Sequence, residues 1–386
     1  MEAAVTVLVG TAKGVFLLDG DAARKVWRLR GPFCEGWPVN HVIGCRRSGR
    51  LWAAAGDDWH GSGVWRSEDG GARWELALLA NGQFDEWLAR DAEIAAYTGK
   101  APAPPAPFTG RLEALWSLGL AGERLLAGGK PGLLFASADG GLGWEEVAGL
   151  NHHPSREEWQ PGGVGLVLHS IVAAPDAPER LWVGISAAGV FASEDGGASW
   201  ERRNRRANAD GDGDGHAHGH DHGGEVGHCV HNFVRAGGDG PDLLYQQNHH
   251  GVFRSPDGGR SWQEITAGLP SGFGFPVAVH PRDPATIWVL PMNGDMEGRF
   301  PPDAAPAVWR SRDGGESWQA LRRGLPERDC YFTVLRQAMA VDAASPAGLY
   351  FGTSTGSVFA SADEGGAWTE VARHLPPIRS IETLAR

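Results

Sequence analysis

Six times the chain spells Ser-x-Asp-x-Gly-x-x-Trp, and no other feature narrows its possible folds as much. The octads are Ser67/Asp69/Gly71/Trp74, Ser137/Asp139/Gly141/Trp144, Ser193/Asp195/Gly197/Trp200, Ser255/Asp257/Gly259/Trp262, Ser311/Asp313/Gly315/Trp318 and Ser361/Asp363/Gly365/Trp368. A recurrence every 50 to 70 residues marks a repeat architecture, and that outranks any domain count read from the length of 386 residues. The octad reads as a turn. Asp side chains accept from nearby backbone N–H groups, and Gly supplies the positive φ of a tight bend. A strand precedes it, as in Gly189-Val-Phe-Ala-Ser193 and Gly251-Val-Phe-Arg-Ser255. The Trp is a large apolar plug between neighbouring units. Each octad follows a strand pair, with a further apolar strand upstream at 168–173, 230–235, 275–280 or 335–341. Four strands per unit make a propeller blade.

The octad resembles the Asp-box, or BNR, repeat of the sialidase-like and sortilin-like propellers. That resemblance covers nearly the whole chain and implies a turn between the third and fourth strands of each blade. The expected fold is therefore all-β: one seven-bladed β-propeller over 1–386, with four-stranded blades. One blade is split. Residues 5–10 and 14–18 supply its second and third strands, Trp27 lies on its fourth, and Ile378-Arg-Ser-Ile-Glu-Thr-Leu384 supplies its first. Pairing the C-terminal strand with Val5–Val9 closes the ring and removes the open sheet edges. Two insertions interrupt the pattern. Residues 82–110 carry an expected short helix from Phe84 to Tyr97 and end in a Pro/Ala run. Residues 204–228 are rich in His, Gly and Asp. Both connect the last strand of one blade to the first of the next, on the face where propellers usually bind ligands.

Net charge bounds the partners. At −12, the chain repels a phosphate backbone and an anionic lipid surface, so neither nucleic acid nor membrane is an expected partner. The N-terminal residues lack a signal-peptide pattern, and no stretch reaches the about 18–20 apolar residues of a membrane span. A cytoplasmic protein is expected. Four cysteines are too few for a disulfide framework.

Candidate chemistry comes from aligning the first strands, which line the channel. His41, Trp116, His169, His231, Arg336 and Arg379 align, while the sixth blade breaks the pattern near Phe275. Three imidazoles, His41, His169 and His231, suit a divalent transition metal such as zinc, iron, nickel or copper, with an open position for water or substrate. The bland alternative is ordinary hydrogen bonding in a wet channel. Arg336 and Arg379 suit a carboxylate or phosphate. Trp116, Asn232 and Gln337 stand beside them as further substrate contacts. Loop residues add His249 and His250, a fourth ligand or base, and the carboxylates Glu35, Asp57, Asp58, Glu113 and Glu158. Cys229 lies two residues before His231, on the same strand face, and reads as a ligand, a nucleophile or a small buried side chain. The segment Asp210–His222, with His216, His218, His220 and His222, reads as a loose metal collector or a solvated insertion.

Sialidases of this resemblance use three Arg on the substrate carboxylate, a Tyr nucleophile assisted by Glu, and an Asp acid. Here a third Arg at that depth and the Arg-Ile-Pro motif are missing, and Tyr331 is the one Tyr expected on the ligand face. Three readings follow: a metal-dependent hydrolase or lyase on a small anionic substrate, a glycoside hydrolase with paired carboxylates, or a non-catalytic binding platform. The gathering of His and Arg at one depth favours the first.

Overall fold

A computed structural model describes residues 4–207, 224–237 and 242–385. The chain folds into seven four-stranded antiparallel sheets. In chain order they occupy 5–33 (blade 1), 39–81 (blade 2), 114–146 (blade 3), 168–202 (blade 4), 230–264 (blade 5), 274–321 (blade 6) and 339–372 (blade 7). Blade 1 takes its innermost strand, Ile378–Ala385, from the C-terminus, paired antiparallel with Val5–Thr11. The seven-bladed propeller and its expected closure are both present.

The octads build the turns through one repeated set of bonds. Each Ser Oγ donates to the Asp Oδ1 two residues on, at 2.7–2.9 Å. Each Ser Oγ also accepts from the amide of the octad Gly four residues on, at 2.7–2.9 Å. Each Asp Oδ1 accepts from the amide four residues on. The glycine at the bend needs positive φ: Gly71 stands at +91°, and a Cβ there would lie 2.5 Å from Leu17 of blade 1.

Those bonds fix the acid behaviour of the turns. Hydrogen bonds from Ser199 and its amide, then Ser193, hold the Asp195 carboxyl down to about 2. Ser317 and Ser311 lower Asp313, and the amides of Arg73 and Gly143 lower Asp69 and Asp139. At Asp257 and Asp363 burial pulls upward, but the hydrogen bonds outweigh it. An unfolded Asp titrates near 3.9. A depressed native value means that the unfolded chain binds more protons below that point, so the contribution is complete above about pH 4 and is lost as pH falls through the native value. The melting midpoint should therefore drop steeply from about pH 4 to pH 2. A midpoint flat across that window would contradict the assignment.

The apolar residues form seven clusters, one at each interface between adjacent blades. Aromatic side chains tie the interfaces together. Trp52, Trp182 and Trp288, on second strands, donate to Gly140, Gly258 and Glu364 in the octads of the next blades. With stability distributed around the circumference, the centre is left to polar side chains.

The insertion at 82–110 departs from expectation. The helix expected over Phe84–Tyr97 is two helices, Gln83–Arg90 and Ala92–Thr98. Asp91 causes the break, because its carboxylate caps the second helix by accepting from the amides of Glu93 and Ile94. The insertion packs on the blade 2 loop through Phe84 and Trp87 against Trp59. No described helix is long and apolar enough to cross a membrane. The reading made on Asp210–His222 lies outside the described residues.

Candidate functional site

First strands carry a recurring irregularity that decides which side chains reach the channel mouth. In blades 2 to 5 and in the split blade, one residue is skipped by the ladder: Asn40, Trp116, His169, His231 and Arg379. Blade 6 has its own shift at Phe275–Pro276. Such a bulge re-aims the unpaired side chain. The expected alignment is therefore right at Trp116, His169, His231 and Arg379 and one residue off at His41. Asn40 holds the equivalent position, while His41 aligns with Ser117, Ser170, Asn232 and Ser380. The apolar frame Val39-Asn-His-Val-Ile43 against Leu168-His-Ser-Ile-Val172 carried that signal.

The mouth is a cavity of about 690 Å³, lined among others by Asn40, Trp116, Arg336, Arg379, Asp58 and Glu113. Arg379 Nη1 donates to Asn40 Oδ1 at 2.7 Å, and Asn40 Nδ2 donates to the Leu115 carbonyl at 2.7 Å. These bonds tie the split blade to blades 2 and 3. Arg336 sits in the turn before the short strand Met339–Val341, not on the ladder as its alignment implied. Its guanidinium lies 4.9 Å over the Phe275 ring, and its Nε is buried without a hydrogen-bond partner. Burial pulls the Arg336 pKa down to about 10, which leaves it charged at neutral pH. Burial also lowers Arg379, against the pull of Asp57. Lys130 Nζ pairs with Glu113 Oε2 at 2.9 Å. Asp57 is tied to His60 and the Trp59 amide; burial raises its carboxyl, but these bonds outweigh it and leave it below the usual range.

Beneath the mouth the channel is bridged. Gln337 Nε2 donates to the His169 carbonyl, and Asn232 Nδ2 donates to the Arg336 carbonyl at 2.8 Å. Gln337 borders both the mouth and a lower cavity of about 380 Å³, which Asn232, His41 and Glu382 also line.

The expected metal set of His41, His169 and His231 is not brought together. His41 Nδ1 accepts from the Leu118 amide at 2.9 Å, and its Nε2 lies 3.7 Å from Glu382. His169 is fully buried; its Nδ1 faces Ser170 Oγ at 3.2 Å and its Nε2 has no partner. Among the described residues, the metal-competent group of three is instead Cys229, His231 and His249, with ligand atoms within 4.8 Å of one another. Burial, then the charge of Arg336, drives His169 and His231 well below the usual imidazole range, and burial also lowers His249. All three are neutral near pH 7.

The remaining expected site residues divide between the mouth and other places. Asp58 does line the mouth. Glu35 is exposed in a 3₁₀ turn at Cys34–Gly36 and does not line it. Tyr331 is 68% exposed against Phe300 and borders a separate cleft of about 680 Å³. His250 is exposed and stacks edge-on to His249. Sequence reasoning missed Asn40, and also Asp295 and Arg299, which approach His249 and Arg336 from a blade 6 loop with no octad-like signal.

Fold and site define a β-propeller with a polar, arginine-bearing channel mouth. Solved structures agree on the fold. The chain is similar to the GH74 xyloglucanase of Xanthomonas campestris (TM-score 0.60, 19% identity, covering 100% of this chain and 52% of that one). It is also similar to the Niastella koreensis GH74 enzyme (TM-score 0.55, 14% identity, 98% and 55%). A third likeness is to YCF48 of Cyanidioschyzon merolae (TM-score 0.50, 13% identity, 86% and 85%). The chain thus spans about half the length of the two GH74 enzymes. No protein-family model and no curated protein matches it.

Proposed function

We propose that this chain is an Asp-box propeller whose channel mouth binds a small carboxylate- or phosphate-bearing molecule and hydrolyses it or eliminates a group from it. The observation that carries the reading is the convergence of two arginines on one cavity, with Arg336 Nε buried and unpartnered. A buried guanidinium with a free donor is costly unless an anion meets it, and such charge-assisted contacts are the strong ones. Arg379, steered by Asn40, supplies a second point of attachment. Trp116 walls the cavity, Gln337 floors it, and Asp58 and Glu113 are the carboxylates within reach for proton transfer. A divalent transition metal belongs to this reading.

A second reading has one observation in its favour. Trp59 and Trp116 share the mouth with Asp57, Asp58 and Glu113, and aromatic faces beside paired carboxylates suit a glycan. Fold alone does not choose between them. Isothermal calorimetry does: small phosphates and carboxylates are titrated against neutral oligosaccharides. Removing one charge-assisted contact costs about 1.5–3 kcal/mol, so Arg379→Gln is expected to weaken anion binding roughly 10- to 100-fold. Binding of neutral glycans alone, lost in Asp58→Asn and untouched in Arg379→Gln, would replace the anion reading with the glycan one.

A further inference from the structure

We propose that Cys229, His231 and His249 form a zinc-class metal site on blade 5, beside the anion cavity and with a ligand set different from the three channel histidines. Cys229 immediately precedes the first strand Val230–Arg235, His231 is its bulge residue, and His249 follows the second strand Leu244–Asn248. The loop carrying His249 is pinned to that first strand, because its amide donates to the Cys229 carbonyl at 3.0 Å. The three ligand atoms lie within 4.8 Å of one another. Ligand atoms around a tetrahedral zinc stand roughly 3.3–3.8 Å apart, so closure needs about 1 Å of side-chain movement.

Chemistry beyond proximity favours a metal. His231 Nδ1 lies 2.6 Å from the Gly274 carbonyl, which can only accept, so Nδ1 carries the proton and Nε2 offers its lone pair. That is how ligating imidazoles are held: one nitrogen donates to a carbonyl and the other binds. Asp295 Oδ2 stands 4.0 Å from His249 Nε2, and Arg299 Nε donates to the other oxygen, Oδ1, at 2.6 Å, which holds the carboxylate beside the second ligand ring. Phe273 and Phe275 wall the group at ring separations of 4.7–5.2 Å and keep water from competing. One thiolate with two imidazoles suits zinc or cobalt(II) and leaves a fourth position open. Binding displaces the thiol proton of Cys229, so each bound dication releases one proton and no electrons move. The Arg336 guanidinium lies 4.9 Å over the same Phe275 ring that packs 4.7 Å from His231, so the ligand suited to the open position is an anion shared by metal and guanidinium.

The test uses the full chain with His216, His218, His220 and His222 changed to Asn, which removes the competing imidazoles of the Gly/Asp/His segment. The protein is loaded with zinc, freed of excess by gel filtration and analysed for metal. About one equivalent is expected, falling by at least tenfold in Cys229→Ser and in His249→Ala. His249 is only half-buried, so its variant should fold even if the other does not. With cobalt(II), the near-ultraviolet thiolate-to-metal absorbance should vanish in Cys229→Ser while the metal-free melting midpoint stays put. Absence of bound zinc after loading, or full occupancy in His249→Ala, would overturn the proposal. No substrate enters this measurement. Zinc binding without anion binding would therefore retire the anion reading and leave this site standing, and the reverse outcome would do the opposite.

Discussion

A chain that stops at Pro377 is expected to lose the folded ring altogether. The missing strand, Ile378–Ala385, pairs along the whole of Val5–Thr11 and is the inner wall of blade 1. Ile378, Ser380 and Ile381 are fully buried and Leu384 nearly so. Three buried aliphatic side chains are each worth about 1.5–3 kcal/mol. Their loss alone consumes most of a typical stability of about 5–15 kcal/mol. The damage also spreads. Arg379 would no longer hold Asn40 of blade 2, and the Ile381 amide would no longer donate to the Gln337 carbonyl just before blade 7. Two interfaces open at once, and Val5–Thr11 becomes an apolar edge ready to pair with another chain. Soluble yield and near-ultraviolet circular dichroism read the result. A soluble truncated protein that melts within a few degrees of the full chain would refute the closure energetics.

Trp262→Ala is the largest expected effect from a single side chain, about 3–5 kcal/mol of destabilisation. The indole is fully buried, and it reaches back from blade 5 to donate to the Arg203 carbonyl at the end of blade 4. Removing it leaves a large cavity at the interface and strips that carbonyl of its partner. Trp74 occupies the same octad position in blade 2 yet is only partly buried and donates within its own turn, to Gly71. Trp74→Ala should therefore cost clearly less. Urea midpoints of the two variants decide it, and equal shifts would mean that the octad Trp acts through the turn rather than the interface.

The fold was legible because its signals are local and repeated. An octad fixes one turn per blade, and its spacing fixes the blade count; the split blade followed from Ile378-Arg-Ser-Ile381, which had no octad of its own. Side-chain direction at the mouth was legible only to within one residue. A bulge shifts the register without altering the apolar pattern by more than a single place, and that sufficed to put His41 where Asn40 stands. Loop conformation was less legible. Asp91 prefers to cap rather than to continue a helix, Arg336 left the ladder for a turn, and Tyr331 went to a different cleft. Spacing along the strand put Cys229 beside His231, but the addition of His249 depends on how one loop folds back on that strand, a contact that no spacing rule encodes.

The skipped positions of the first strands have an evolutionary consequence. Asn40, Trp116, His169, His231 and Arg379 occupy equivalent places in five blades, yet they comprise four side-chain types that differ in charge and shape. Each stands outside the ladder, so exchanging its side chain leaves the neighbouring strand hydrogen bonds in place. Selection can then vary the lining of the mouth one socket at a time while the turns and indoles at the rim keep the ring intact. In such an architecture the lining of the mouth and the frame that carries it can change at different rates.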